Sequence, residues 1–296
     1  MDYIRGAVFS LQNTCVAFGS FDGMHVGHAA VVRRLREFAP LQPAVLSLET
    51  TGQPLVYNEA EKRRLLRQWG VTTFVSFPAA VAAAMDARDF VREIIVGRMG
   101  ARVIVCGTES PYYGVLLALA DACGYRLVTE PPVPVRGEPV SLSRLVGAME
   151  NDDFAAMCEL EGHPHLIAGT VVHGKGQGRK FGMPTANIAV SPDKRFPPHG
   201  VYASIAYVKN GVWQSMTNIG LRPSDDNIPI PTIEAHLFDF DEDIYDQPFS
   251  LELHQYIRPV MKFPSIREVR ERVYRDKELI RDYLDHLAAD AARELP

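Results

Sequence analysis

Two histidines three residues apart, His25 and His28, stand in FGSFDGMHVGHAAVV (18–32) with Gly19, Gly23, Gly27 and one aspartate, Asp22. Three chemistries fit this stretch. A helix N-terminus carries unsatisfied N–H groups and a partial positive charge, so it attracts phosphate. The glycines let backbone approach an anion, and two imidazoles can steady charge on a departing pyrophosphate. A zinc site fits less well, because paired histidine ligands usually stand i,i+4 on a helix with a third ligand nearby. A glycine-rich turn with a capping histidine is the third reading.

A second group lies downstream in GTVVHGKGQGRKFGMPTANIAV (169–190). Its basic turn holds Gly174, Lys175, Gly176, Gly178 and Arg179 but is not the phosphate-binding G-x-x-x-x-G-K-[ST] loop, since no Ser or Thr follows Lys175. A flexible basic turn is the plain alternative. In PTAN, Pro184 restrains the backbone before Thr185, and Thr185 and Asn187 offer hard oxygen ligands of the kind magnesium prefers. Glu234 opens an alternating stretch that carries His236 on the same face. A strand glutamate facing a cavity can be the general base for a hydroxyl nucleophile, against the alternative of a solvated edge residue. DFDEDIYDQPFS (239–250) spaces its acids like a calcium loop, but Ile244 stands where glycine is required and Ser250 where glutamate is, so a solvated turn is expected.

These groups need elements to hold them. Up to residue 130, apolar runs TCVAF, AVLSL, TTFVSF, ARVIVCG and YRLVTE alternate with helix-periodic segments. That rhythm predicts βαβ units and a parallel sheet. In HAAVVRRLREFAP the predicted buried face is Val31, Leu35 and Phe38, with Arg33, Arg34 and Arg36 outward. EAEKRRLLRQWG and DARDFVREIIVGRMG read as further helices. After residue 165 the strands LIAGTVVH, GVYASIAYV, VWQSMTNIG, TIEAHLFDF and FSLELHQYI follow one another without helices, which predicts an antiparallel barrel or sandwich. A long amphipathic helical region ends the sequence. The boundary is expected near the proline-rich EPPVPVRGEPVSLSRLV, giving modules 1–160 and 161–296.

Bulk properties narrow the class. The 296 residues are 47% hydrophobic and 23% charged, ordinary values for a packed chain. A net charge of −5 argues against coating nucleic acid. The four cysteines, Cys15, Cys106, Cys123 and Cys158, show no metal-type pairing and suit a reducing compartment. Neither a signal-peptide core nor a membrane-length apolar run is present, so a cytoplasmic location with no membrane partner is expected.

The first group resembles the FMN adenylyltransferase module of bacterial FAD synthetases, within the H-x-G-H nucleotidylyltransferases. G-S-F-D-G-M-H-V-G-H stands where that family reads G-N-F-D-G-V-H-L-G-H, and the likeness covers most of residues 14–107. It implies a Rossmann-like fold and a nucleotide site at Gly19, Asp22, His25, Gly27 and His28. Three departures follow. LSLETTGQPL replaces a T-F-x-P-H-P segment, CGTESPYYG replaces the flavin-loop motif G-x-D-F-x-F-G, and SLSRLV replaces S-S-T-x-I-R, with Leu142 for a serine and Val146 for the arginine. An arginine clamping phosphate gives charge-assisted bonds of roughly 1.5–3 kcal/mol each. The expectation is a weak or inactive adenylyltransferase. A full bifunctional FAD synthetase and a non-catalytic nucleotide- or flavin-binding module are the alternatives.

The second half closely resembles riboflavin kinase, the other module of the same enzymes, over about residues 166–285 through PTANI, HGVYA, NIG-x-x-P, EAHLFDF and IRPVMKF. The resemblance implies a β-barrel with a C-terminal helix and ATP-dependent conversion of riboflavin to FMN. It implies that the GKGQGR turn cradles ATP phosphates, that Thr185 and Asn187 hold magnesium and phosphate, and that Glu234 deprotonates the ribityl 5′-hydroxyl. Arg258, Lys262 and Phe263, with the start of the last helix, would cover the flavin. Met183 and Ser224 replace Phe and Thr without removing a group that has a role. Partners are then small molecules, namely riboflavin, ATP and FMN, and homo-oligomerisation is compatible with all of this.

Overall fold

In a computed structural model, residues 1–49, 52–174, 183–223 and 229–293 are described. Lys175, Gly176, Gly178, Arg179 and Ser224 lie outside them. The chain divides into two compact units, Met1–Leu145 with Leu160–Gly162, and Val146–Glu159 with His163–Pro296.

The first unit is built on six strands, β1 (Asp2–Arg5), β2 (Thr14–Gly19), β3 (Gln42–Glu49), β4 (Thr73–Pro78), β5 (Ala101–Gly107) and β6 (Arg126–Glu130). They lie in the order β1-β4-β3-β2-β5-β6, all in parallel register. Five match the apolar runs. β1, the charged-ended DYIR, carries no such run and is recruited by pairing with β4. The sheet reverses its winding between β2 and β5, and in open α/β sheets ligands settle at the strand C-termini of such a switch point.

Helix α1 (Val26–Leu35) follows β2, and α2 (Glu59–Gln68) starts with a capping box between Asn58 and Glu61. The predicted α1 face is corrected. Ala30, Val32 and Leu35 are the buried residues, while Val31 is only partly buried and Phe38 belongs to a following 3₁₀ turn. Val31 lines the β2–α1 pocket instead of the core. DARDFVREIIVGRMG is helical but mostly π-wound over Phe90–Arg98, with Phe90, Val91, Ile94 and Ile95 buried against Val16, Leu46, Val75 and Ile104.

A short hairpin of β7 (Pro134–Val135) and β8 (Glu138–Pro139) follows β6. In the second unit β9 (His165–Val172), β10 (Ala186–Ala189), β11 (Gly200–Val208), β12 (Gly211–Pro223), β13 (Pro229–Leu237) and β14 (Pro248–Arg258) close an antiparallel barrel, β10-β13-β12-β11-β14-β9. Alternation puts Ile167, Val171, Tyr202, Ile219, Ile233, Phe249, Leu251 and Leu253 inside. The terminal helix α8 (Ile266–Arg293) packs Ile280 and Leu284 on Val201 and Ala203 of the outer face. Gly169 is required by close packing: a Cβ there would strike the Ala189 carbonyl of β10.

Candidate active sites

The barrel site is a row across strands. Directly opposed residues of antiparallel strands project to the same face. Asn187 of β10 opposes Glu234 of β13, and Glu234 opposes Asn218 of β12, with no bulge between them. Three polar side chains therefore stand abreast on the outer face, all part-buried. PTAN runs into strand β10, with Ala186 and Asn187 in the strand and Pro184 and Thr185 just before it, so the sheet fixes the place of Asn187. Next along the face, His236 is buried and its Nδ1 lies 2.9 Å from the Pro184 carbonyl. That contact makes Nδ1 the donor and pins the backbone before Thr185. Burial lowers the His236 pKa against the raising effect of this bond, so the ring is neutral at pH 7. Its Nε2 is buried with no hydrogen-bond partner among the described residues.

Gly174, the first residue of the basic turn, touches this row. A Cβ on it would run into the Asn187 amide, so Gly174 lies directly against that side chain. A cavity of about 410 Å³ opens beside Thr185, walled by Ala235, Leu237, Phe240 and Tyr245 and by three acids, Asp241, Glu242 and Asp243. The expectation of a solvated turn at 239–250 is corrected here. Part of that loop forms the cavity wall, because Ile244 is buried and the Tyr245 ring stacks on His173, with centroids 3.8 Å apart.

Of the residues assigned to a flavin cover, Arg258 is held by the structure itself. Its Nε is 2.7 Å from Asp276 Oδ2 of α8, and Arg272 Nε is 2.9 Å from Oδ1 of the same buried carboxylate. Arg258 lies 5.9 Å from the Phe263 ring centroid, and Lys262 is exposed. The ion pair ties the strand leading into IRPVMKF to the terminal helix. Two features of this site escaped the sequence reading. Asn218 was visible only as part of NIG-x-x-P, and the grip of His236 on Pro184 depends on strand register.

The site in the first unit sits at the switch point. His25 is the N-cap of α1, and its Nδ1 accepts from the His28 backbone N–H at 3.3 Å. The two rings stack 3.9 Å apart at 10°, and Phe21 lies 4.8 Å from the His28 ring. Burial pushes His25 down to about 4, and burial and the neighbouring His25 and Lys62 put His28 well below its usual value. Both rings are neutral at pH 7. Phe21 and Met24 take φ of 48° and 41°, a left-handed backbone that the loop must enforce. Behind the loop, buried Lys62 donates to the Ser20 carbonyl at 2.8 Å, and buried Asp22 accepts from the Tyr57 N–H at 3.2 Å. Lys62 lay unremarked within a helix pattern in the sequence.

Gly19, His25, Gly27 and His28 line a pocket of about 210 Å³ with Glu109 and Glu130, whereas Asp22 faces Tyr57. No lysine or arginine is among the described lining residues. Arg34 is paired with Glu37 at 2.7 Å and lies 3.1 Å from Glu130. Leu142, at the altered serine position, packs with Leu145 over Gly23. Arg144, the arginine that SLSRLV does contain, donates to the carbonyls of Val135, Glu138 and Pro139 at 3.0, 2.7 and 2.9 Å. Those three bonds commit it to the neighbouring hairpin.

Comparison with known proteins finds two family matches along the chain. The riboflavin kinase family profile matches residues 161–284, and the FAD synthetase profile matches residues 9–115. A bifunctional riboflavin kinase/FMN adenylyltransferase of Bacillus subtilis is 29% identical, over 92% of this chain and 93% of that one. The Escherichia coli K12 protein of the same name is also 29% identical, with the same coverage. A crystal structure titled as a macrolide-efflux protein from Streptococcus pneumoniae superposes with a TM-score of 0.81 at 24% identity, covering 95% of this chain and 99% of that one. That likeness carries the fold alone. Among the described residues no helix is long and apolar enough to cross a membrane.

Proposed function

Because the chain belongs, half by half, to the riboflavin kinase and FAD synthetase families, we propose that its kinase chemistry runs on the Asn187–Glu234–Asn218 face while its first half has weak or no adenylyltransferase activity. The observation that carries the kinase reading is the direct opposition of Asn187 and Glu234. Riboflavin and ATP are the substrates. Glu234 takes the proton of the ribityl 5′-hydroxyl as its oxygen attacks the γ-phosphorus, the bond to the β-phosphate oxygen breaks, and FMN and ADP leave. Thr185 and Asn187 would hold magnesium, which when bound neutralises phosphate charge. Their neutral oxygens suit an ion that keeps waters and substrate phosphates as its other ligands. Residues 1–160 and 161–296 are the two functional modules on this reading.

The reading of the first half rests on charge. ATP brings several negative charges, yet the pocket offers two neutral imidazoles and the carboxylates of Glu109 and Glu130. Electrostatic neutralisation at the α-phosphate and pyrophosphate is what adenylyl transfer requires. The retained His25 and His28, and the bifunctional names of the relatives, favour the alternative of a complete FAD synthetase.

One incubation with riboflavin, ATP and magnesium, with flavins resolved by chromatography, tests both halves. FMN should accumulate and FAD should not. Glu234→Gln should lower kcat by about 10²–10⁴ with modest change in KM. Undiminished turnover in that variant would remove Glu234 from the mechanism. FAD formed as fast as FMN, and lost in His28→Ala, would make the protein bifunctional.

A further inference from the structure

The neighbours of Glu234 on its two sides are chemically different. On one side stand Asn187, Gly174 and, two residues before Asn187, Thr185. Since Thr185 and Asn187 would hold magnesium on the proposed reading, that is the nucleotide side. On the other side, about 4.8 Å away at strand spacing, stands Asn218. Asn218 is part-buried, and no hydrogen bond to its amide is found among the described residues. Two residues along, Gly220 presents backbone. A Cβ there would lie 3.8 Å from Asn218 Nδ2 and 3.6 Å from Val260 Cγ2, so the segment following β14 passes beside the Asn218 amide. In-line phosphoryl transfer puts the acceptor opposite the leaving nucleotide. The acceptor's chain must therefore approach Glu234 from the Asn218 side.

We propose that Asn218 selects the acceptor by hydrogen-bonding the ribityl 4′-hydroxyl, the neighbour of the hydroxyl that is phosphorylated. The inference rests on the reading of the Glu234 face as the kinase site. A hydroxyl is both donor and acceptor, and a carboxamide matches it with an N–H donor and a carbonyl acceptor without adding a charge beside the base. Adjacent strands carry Glu234 and Asn218, so a polyol whose terminal hydroxyl meets Glu234 can present a neighbouring hydroxyl to the Asn218 amide. The Val201 next in the row is buried under α8, which makes Asn218 the last polar group the chain can reach on that rung.

The test compares riboflavin with its 4′-deoxyribityl analogue at saturating MgATP, in wild type and in Asn218→Ala, Asn218→Ser and Glu234→Gln. Wild type should prefer riboflavin by roughly tenfold or more in kcat/KM, the worth of one hydrogen bond left unmade. Asn218→Ala should lose that preference, falling roughly tenfold on riboflavin while matching wild type on the analogue, with KM for ATP unchanged. Asn218→Ser, a smaller polar change on a strand, decides the same question should the alanine variant fold poorly. A variant that keeps the wild-type preference overturns the proposal. So does an equal fall on both substrates, which would mean that Asn218 acts on Glu234 or on the strand. If Glu234→Gln turns over normally, the site reading itself is wrong, whatever Asn218 does.

Discussion

Protonation of His25 is opposed by the fold. Burial lowers its pKa from 6.5 to about 4, partly offset by a hydrogen bond to its own backbone and by the charge of Glu161. Unfolded, it titrates near 6.5. Above that pH both states are neutral and the group adds no pH dependence. As pH falls from about 6.5 towards 4, the unfolded chain takes up a proton that the folded unit refuses. Stability of the first unit therefore drops by up to about 3 kcal/mol across that window and levels off below it. His28, lowered for the same reason, adds a loss of the same sign. His25→Asn keeps a good N-cap acceptor but cannot titrate. The chain has two tryptophans, Trp69 at the C-cap of α2 and Trp213 on β12, so each unit carries its own fluorescent reporter. Urea unfolding of the Trp213→Phe background, followed at Trp69, should lose stability between pH 6.5 and 4.5 with a slope of at most about 1.4 kcal/mol per pH unit from this residue. Adding His25→Asn should flatten that part of the curve. Parallel profiles with and without His25→Asn would refute the argument, and with it the claim that the imidazole pair meets a nucleotide uncharged at pH 7.

Two further outcomes are expected from the barrel. Gly174→Ala places a Cβ on the Asn187 amide and should raise KM for MgATP with little change in the barrel's thermal midpoint, measured by steady-state kinetics and melting; unchanged KM would detach the turn from the site. Asp276→Ala leaves Arg258, with 10% of its side chain exposed, without its carboxylate and should destabilise the second unit by about 3–5 kcal/mol in urea followed at Trp213, whereas a loss below about 1 kcal/mol would show the pair to be dispensable.

Much of the architecture was legible in linear order because it is local. Period-two and period-3.6 patterning marked most of the strands and the helices 26–35, 59–68 and 266–293, but passed over β1, β10 and the helices Tyr113–Cys123 and Phe154–Glu161; two of the strand expectations, 101–107 and 200–208, coincide with β5 and β11 residue for residue. The histidine loop, PTAN and Glu234 were likewise visible as residue types at telling spacings. What the sequence could not carry was register. β1 has no apolar signature and exists because β4 offers it an edge. Asn218 gains its place beside Glu234 from a pairing across strands, and Asp276 meets Arg258 only because α8 lies back on the barrel. The electrostatic state of the first pocket is also tertiary. His25 and His28 are written as potential cations, but burial makes them neutral, while Arg34 is paired with Glu37 and Glu130 and Arg144 is committed to hairpin carbonyls. Residue type sets which charges a chain can hold. Desolvation and partner geometry, which exist only once distant segments meet, determine which of them a ligand encounters.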